Sequence, residues 1–104
     1  MIVMKFGGTS VEDAQAIGRL MTIVRGKLRE KPVVVVSALA KVTDSLIRMA
    51  QLAADGSLPD SLKLLREVRQ RHFTVLAGLA KNSLHDECRA ELQKLFESLQ
   101  EVLR

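Results

Sequence analysis

The sequence has no tryptophan and no tyrosine, and only three phenylalanines in 104 residues. So little aromatic content leaves the core to aliphatic side chains and removes the stacking platforms that single-stranded nucleic acids need. One cysteine, Cys88, excludes an internal disulfide and suits a reducing compartment. It falls in a helical apolar stripe, where a free cysteine acts as filler rather than as a nucleophile. Two histidines and one cysteine at these spacings match no zinc pattern. No apolar run reaches the ~20 residues of a membrane span. Lys5 follows Met1 to Met4 too closely for the apolar stretch of a secretory leader. These absences predict a cytoplasmic protein with no membrane and no nucleic acid among its partners.

Hydrophobic residues make up 47% and charged residues 27%, the balance of a globular chain with room for one domain or a piece of one. Sixteen Lys and Arg against twelve Asp and Glu give a net charge of +4. That excess suits an anionic small ligand and is too mild and dispersed for DNA. Arg19, Arg25, Arg29, Arg66 and Arg69 fall inside amphipathic patterns and read as solvated helix faces.

Ile2 to Phe6 reads as a short strand stopped by Gly7-Gly8. From Val11 the period becomes helical, with Ile17, Leu20, Met21, Val24 and Leu28 on one stripe. Ser10 is the expected N-cap, with Asp13 completing an approximate capping box. Pro32 breaks the pattern, and Val33 to Val36 form a continuous β-branched run of the kind buried on both faces of a parallel sheet. Strand, helix, strand predicts a βαβ unit. Ser37 to Val42 reads as a loop and Thr43 as the cap of a helix over about Asp44 to Ala53. Asp55-Gly56-Ser57 with Pro59 marks a break. A longer helix is expected from Asp60 to about Ala80, with Leu62, Leu65, Phe73, Leu76 and Leu79 on its apolar side. After a turn at Asn82-Ser83 comes a helix from about His85, striped by Leu84, Cys88, Leu92, Leu95, Leu99 and Val102. The last two helices should pair as an antiparallel hairpin. His72 reads as a satisfied, half-buried histidine and His85 as a helix-entry residue.

The chemistry concentrates in two loops, KFGGTS and SALAKVT, each at the carboxyl end of a predicted strand. Parallel strands bring such ends to one edge, where α/β proteins bind ligands. Gly7 and Gly8 would let backbone N–H groups approach an anion, with the start of the following helix adding its dipole. Lys5 supplies a full charge, and Thr9 and Ser10 supply hydroxyl donors. The spacing is neither a Walker P-loop nor G-x-G-x-x-G. A plain tight turn capped by Ser10 accounts for the same glycines. The residues alone therefore lead to an anion-binding α/β enzyme piece and no further.

KFGGTSV followed by VVVVSALAKVTDSL resembles the N-terminal region of the aspartate kinases, in the amino-acid kinase superfamily, over nearly the whole chain. The resemblance implies the first part of a three-layer α/β/α domain of the carbamate kinase-like type. It implies transfer of the γ-phosphoryl group of MgATP to the side-chain carboxylate of L-aspartate, giving 4-phospho-L-aspartate for lysine, threonine and methionine synthesis. Carried onto this sequence, the pattern assigns Lys5, Phe6, Gly7 and Gly8 to the ATP phosphates, with Lys5 as the catalytic cation. It assigns Thr43, Ser37 and Ala38 to the aspartate pocket, with Thr9 and Ser10 at the phosphate or substrate edge. The family carries either Gly or Lys at the position of Lys41.

Family motifs for the substrate glutamate and arginine, the later glycine-rich nucleotide loop and the regulatory ACT domains do not occur in residues 1–104. The chain is accordingly expected to be an N-terminal fragment of the catalytic domain, inactive alone and without identifiable Mg ligands. It is expected to self-associate to cover its strand edge and apolar faces, with the amphipathic C-terminal helices as the docking surfaces. Competing readings are another member of the superfamily (an acetylglutamate, glutamate or uridylate kinase) and a non-catalytic helical interaction module.

Overall fold

The computed structural model describes residues 1–79 and 83–104. They form two compact units, Met1–Lys41 and Val42–Arg104.

In the first unit, β1 (Ile2–Phe6) leads through a 3-10 turn over Gly8–Val11 into helix α1 (Ala14–Arg25). A second 3-10 turn, Leu28–Glu30, returns the chain to β2 (Pro32–Val36). The strands pair in parallel, in register from Ile2–Pro32 to Phe6–Val36, which is the expected βαβ arrangement. The Ser37 amide donates to the Phe6 carbonyl at 3.0 Å and carries the pairing to the strand ends. Period-two alternation leaves Ile2, Met4 and Phe6 half-buried and Val3 and Lys5 exposed. Val11, Ala16 and Leu20 are the unit's buried apolar residues.

Two expectations fail here. Val33 to Val36 are not buried on both faces: they are 47, 39, 46 and 55% exposed. Among the described residues the sheet has two strands, so the β2 backbone is paired along one edge only. A β-branched run shows a demand for burial, not its fulfilment. Nor does Ser10 cap the helix. It belongs to the 3-10 turn, where its amide donates to the Gly7 carbonyl at 3.1 Å. The cap is Asp13, whose carboxylate accepts from the Ala16 amide at 2.8 Å. The tight turn delays the α-helix, and the next residue with a suitable side-chain oxygen takes the role.

The second unit contains α2 (Val42–Ala54), α3 (Leu58–Leu79) and α4 (Ser83–Leu103). The break at Asp55-Gly56-Ser57 is a Schellman ending. Gly56 sits at φ +83, its amide donates to the Ala53 carbonyl, and the Ser57 amide donates to the Leu52 carbonyl at 2.8 Å. Pro59 stands in the first turn of α3, where its missing N–H costs nothing, so the helix starts before Asp60. The fully buried Ser61 hydroxyl donates to the Met49 carbonyl at 2.8 Å and ties α3 to α2. Such a bond contributes about 1 kcal/mol.

The hairpin of α3 and α4 is antiparallel: Phe73 meets Phe96 and Arg89, while Leu62 shares a groove with Arg104. Its core is not purely aliphatic. Phe73 and Phe96 are both buried, with centroids 6.5 Å apart. Phe96 also fixes the facing of α4. The half-buried Cys88, Leu92, Leu99 and Leu103 lie on its side, whereas Leu84, Leu95 and Val102 from the expected stripe are exposed. His72 is half-buried and donates from Nδ1 to the Val68 carbonyl at 2.8 Å, edge-on to Phe96. The turn at Asn82-Ser83 falls partly outside the described residues. Among the described residues no helix is long and apolar enough to cross a membrane.

Candidate functional site

The strands of the first unit end together, and their two loops meet at Gly8. A Cβ built on Gly8 would lie 3.5 Å from the Ala40 Cα and 3.8 Å from the Ala38 carbonyl oxygen. With the bond from Ser37 to Phe6, this brings Phe6, Gly8, Ser37 and Ala38 to one edge of the sheet. Ser37 and Ala38 are exposed there.

Neither glycine of the turn is required by its backbone conformation. Gly7 has φ −78, and Gly56 is the described glycine with positive φ. A Cβ on Gly7 would meet nothing within 4 Å. The protein's own packing therefore gives no reason for Gly7 to lack a side chain. A ligand lying against the backbone would give one.

Lys5 and Phe6 point to opposite faces of β1. Lys5 is exposed, and none of the ion pairs among the described residues involves it. On the Phe6 side, Thr9 and Ser10 share a cleft of about 230 Å³ with Ala16, Arg19, Leu20 and Ile23. Lys5 does not line that cleft, so the ammonium and the two hydroxyls flank the turn from different sides.

The expected dipole contribution needs correcting. The segment after the glycines is a four-residue 3-10 turn, and α1 starts only at Ala14 with its N-terminus occupied by Asp13. What the turn can offer an anion is therefore local amides, the Lys5 ammonium and the hydroxyls, without a helix N-terminus. Arg19 is the residue that sequence reasoning missed. Positions 16, 19, 20 and 23 have the i, i+3, i+4, i+7 spacing of one helix face. Reading the stripe from Ala16 instead of Ile17 would have placed Arg19 beside the turn.

Thr43 lies in the second unit, inside the first turn of α2, with its side chain exposed. It is not the residue ahead of the helix, so the capping account of Thr43 does not hold and its hydroxyl is available for another use. Lys41 precedes the helix at φ 68, in the left-handed region that favours glycine. A position held by either Gly or Lys is what that conformation allows.

A model of the amino acid kinase family matches residues 1–101. The aspartokinase of Mycobacterium tuberculosis is 34% identical over 92 residues, covering 86% of this chain and 22% of the relative. Lysine-sensitive aspartokinase 3 of Escherichia coli is 31% identical over 99 residues, covering 95% and 20%. The chloroplastic aspartokinase 2 of Arabidopsis thaliana is 27% identical over 104 residues, covering 98% and 18%. The chain thus spans about a fifth of the length of these curated relatives.

Proposed function

The chain belongs to the amino acid kinase family, and on that footing we propose that it is part of an aspartate kinase. The reaction joins a side-chain carboxylate oxygen of L-aspartate to the γ-phosphorus of MgATP. The bond from that phosphorus to the β,γ-bridging oxygen breaks, and ADP leaves with the bonding pair.

Phosphoryl transfer asks the protein mainly for positioning and charge stabilisation. Gly7 and Gly8 receive the ATP phosphates against bare backbone, beside Phe6 at the strand end. Lys5 follows the charge on the phosphoryl group as it moves between oxygens. Ser37 and Ala38 serve the acceptor side, with Thr9 and Ser10 at the phosphate or substrate edge. In the second unit, Thr43 is assigned to aspartate by its place in the family motif. Arg19 adds a second cation on the far side of the turn. The ATP-associated Mg²⁺ supplies further charge neutralisation, and no described residue is assigned to hold it.

The observation that carries this reading is the meeting of the two loops at Gly8, next to a Gly7 whose missing side chain leaves open space. The 31% and 34% identities to aspartokinases support aspartate as the acceptor over acetylglutamate, glutamate or a nucleotide. We take the 104 residues as the opening of the catalytic domain and expect no turnover from them alone, since they span about a fifth of the relatives' length. The single thiol fits the cytoplasm. The exposed valines of β2 support self-association.

The test is an acceptor panel with the full product of the gene that encodes this chain. ADP release and hydroxylamine trapping of the acyl phosphate are followed with aspartate, N-acetylglutamate, glutamate and UMP. Turnover with aspartate is expected. Turnover with another acceptor and none with aspartate would overturn the assignment.

A further inference from the structure

The helical unit carries a second concentration of positive charge, unrelated to the phosphate turn. Between α3 and α4 runs a groove of about 380 Å³, within the range that holds small organic ligands. Arg66 and Arg69 enter it from α3, one turn apart, and Arg104 enters it from the position that follows α4. Its apolar lining is Leu62, Leu65 and Phe96, of which Leu65 and Phe96 are buried.

The charges in this groove are not balanced internally. None of the ion pairs among the described residues involves Arg66, Arg69 or Arg104. Glu97 supplies the one side-chain carboxylate lining the groove, and its Oε1 accepts from the Gln93 side chain at 3.5 Å. Three guanidiniums therefore share the groove with a single side-chain carboxylate. Arg69 is held in place, with its guanidinium carbon 5.0 Å from the Phe73 ring centroid, and Arg89 covers Phe73 as well at 4.7 Å. Guanidinium groups set over aromatic rings are pre-ordered for planar, two-pronged hydrogen bonding to oxyanions.

We propose that this groove binds a small organic anion, with its carboxylate or phosphate head on Arg66, Arg69 and Arg104 and its apolar body on Leu62, Leu65 and Phe96. The site lies in the helical unit and does not depend on the kinase reading. Charge complementarity sets the head, because guanidiniums outnumber side-chain carboxylates in the groove lining and bind oxyanions with paired hydrogen bonds. The apolar lining sets the body, because inorganic phosphate would leave the half-buried Leu62 wet.

The experiment is isothermal titration of the 104-residue chain at low salt with phenyl phosphate, phenylacetate, inorganic phosphate and benzyl alcohol. Saturable one-to-one binding of the two aryl anions is expected, at least about tenfold tighter than inorganic phosphate or the uncharged alcohol. A tighter phenyl phosphate assigns a phosphate head, and a tighter phenylacetate a carboxylate head. Arg66 and Arg104 are exposed, so R66A/R104A should keep its circular dichroism spectrum while losing about tenfold or more in affinity. The control K63A/K94A removes exposed lysines from the same two helices and should bind like the parent. No saturable binding, equal affinity for inorganic phosphate, or equal loss in the two double variants would overturn the proposal.

Discussion

Gly8 stands against Ala40 so closely that a methyl group on the glycine would lie 3.5 Å from the alanine Cα. That is ordinary van der Waals contact, so one methyl fits and a branched side chain does not. One residue earlier, Gly7 faces nothing within 4 Å.

The two glycines should therefore respond in opposite ways. Gly8→Val should cost about 1–3 kcal/mol of stability by overpacking the second loop. Gly7→Ala should leave stability unchanged or raise it by up to about 1 kcal/mol, because φ −78 suits alanine. If Gly7 is bare for the sake of a phosphate, the same alanine should raise the KM for ATP in the full gene product. Denaturant midpoints with ATP titrations separate the two effects. A Gly7→Ala enzyme with unaltered ATP kinetics would remove the ligand explanation for that glycine.

Lys41 and Gly56 form a second opposed pair, at φ 68 and φ +83. A left-handed conformation costs an ordinary residue about 1–2 kcal/mol. Gly56→Ala should accordingly destabilise the chain by about 1 kcal/mol, through the Schellman ending of α2. Lys41→Gly removes the same strain but adds about 0.5–1 kcal/mol of unfolded-state entropy. A small net stabilisation is expected. Urea unfolding of both variants beside the parent measures the difference in sign.

The βαβ unit, the Gly56 break and the antiparallel hairpin were legible in the sequence because each rests on local rules: alternation, helical period and turn chemistry. What was not legible depends on neighbours. The burial of Val33 to Val36 needs layers that a four-residue run cannot reveal. The shift of the helix cap from Ser10 to Asp13 follows from a 3-10 turn whose geometry is fixed by the tertiary setting of Gly8. The facing of α4 was missed because Phe96, outside the expected stripe, is the residue that reaches Phe73. At the site, the sequence singled out the motif residues of both loops as candidates; Arg19 is exposed as expected, and its place in the cleft beside the turn was not legible because the stripe was phased from Ile17.

The exposed valines lead to a prediction about assembly. Among the described residues β2 has a free edge and four side chains that are at least 39% exposed, a combination that invites pairing with another chain. The 104-residue chain should be larger than a monomer in light scattering at millimolar concentration. Val33→Lys places a charge on the strand, on the face shared with Val3, and should shift the population toward monomer. A parent chain that stays monomeric across the concentration series would show that the edge is left unpaired in solution.

The most direct measurement concerns Lys5. In the full gene product, kcat for aspartate phosphorylation is compared between the parent, Lys5→Ala and Lys5→Arg, with folding checked by circular dichroism. If the ammonium stabilises the phosphoryl group in transfer, Lys5→Ala lowers kcat by about 10²–10³-fold, and Lys5→Arg recovers part of the rate. A Lys5→Ala enzyme that turns over at the parent rate would contradict the assignment of the KFGGTS turn as the phosphate site.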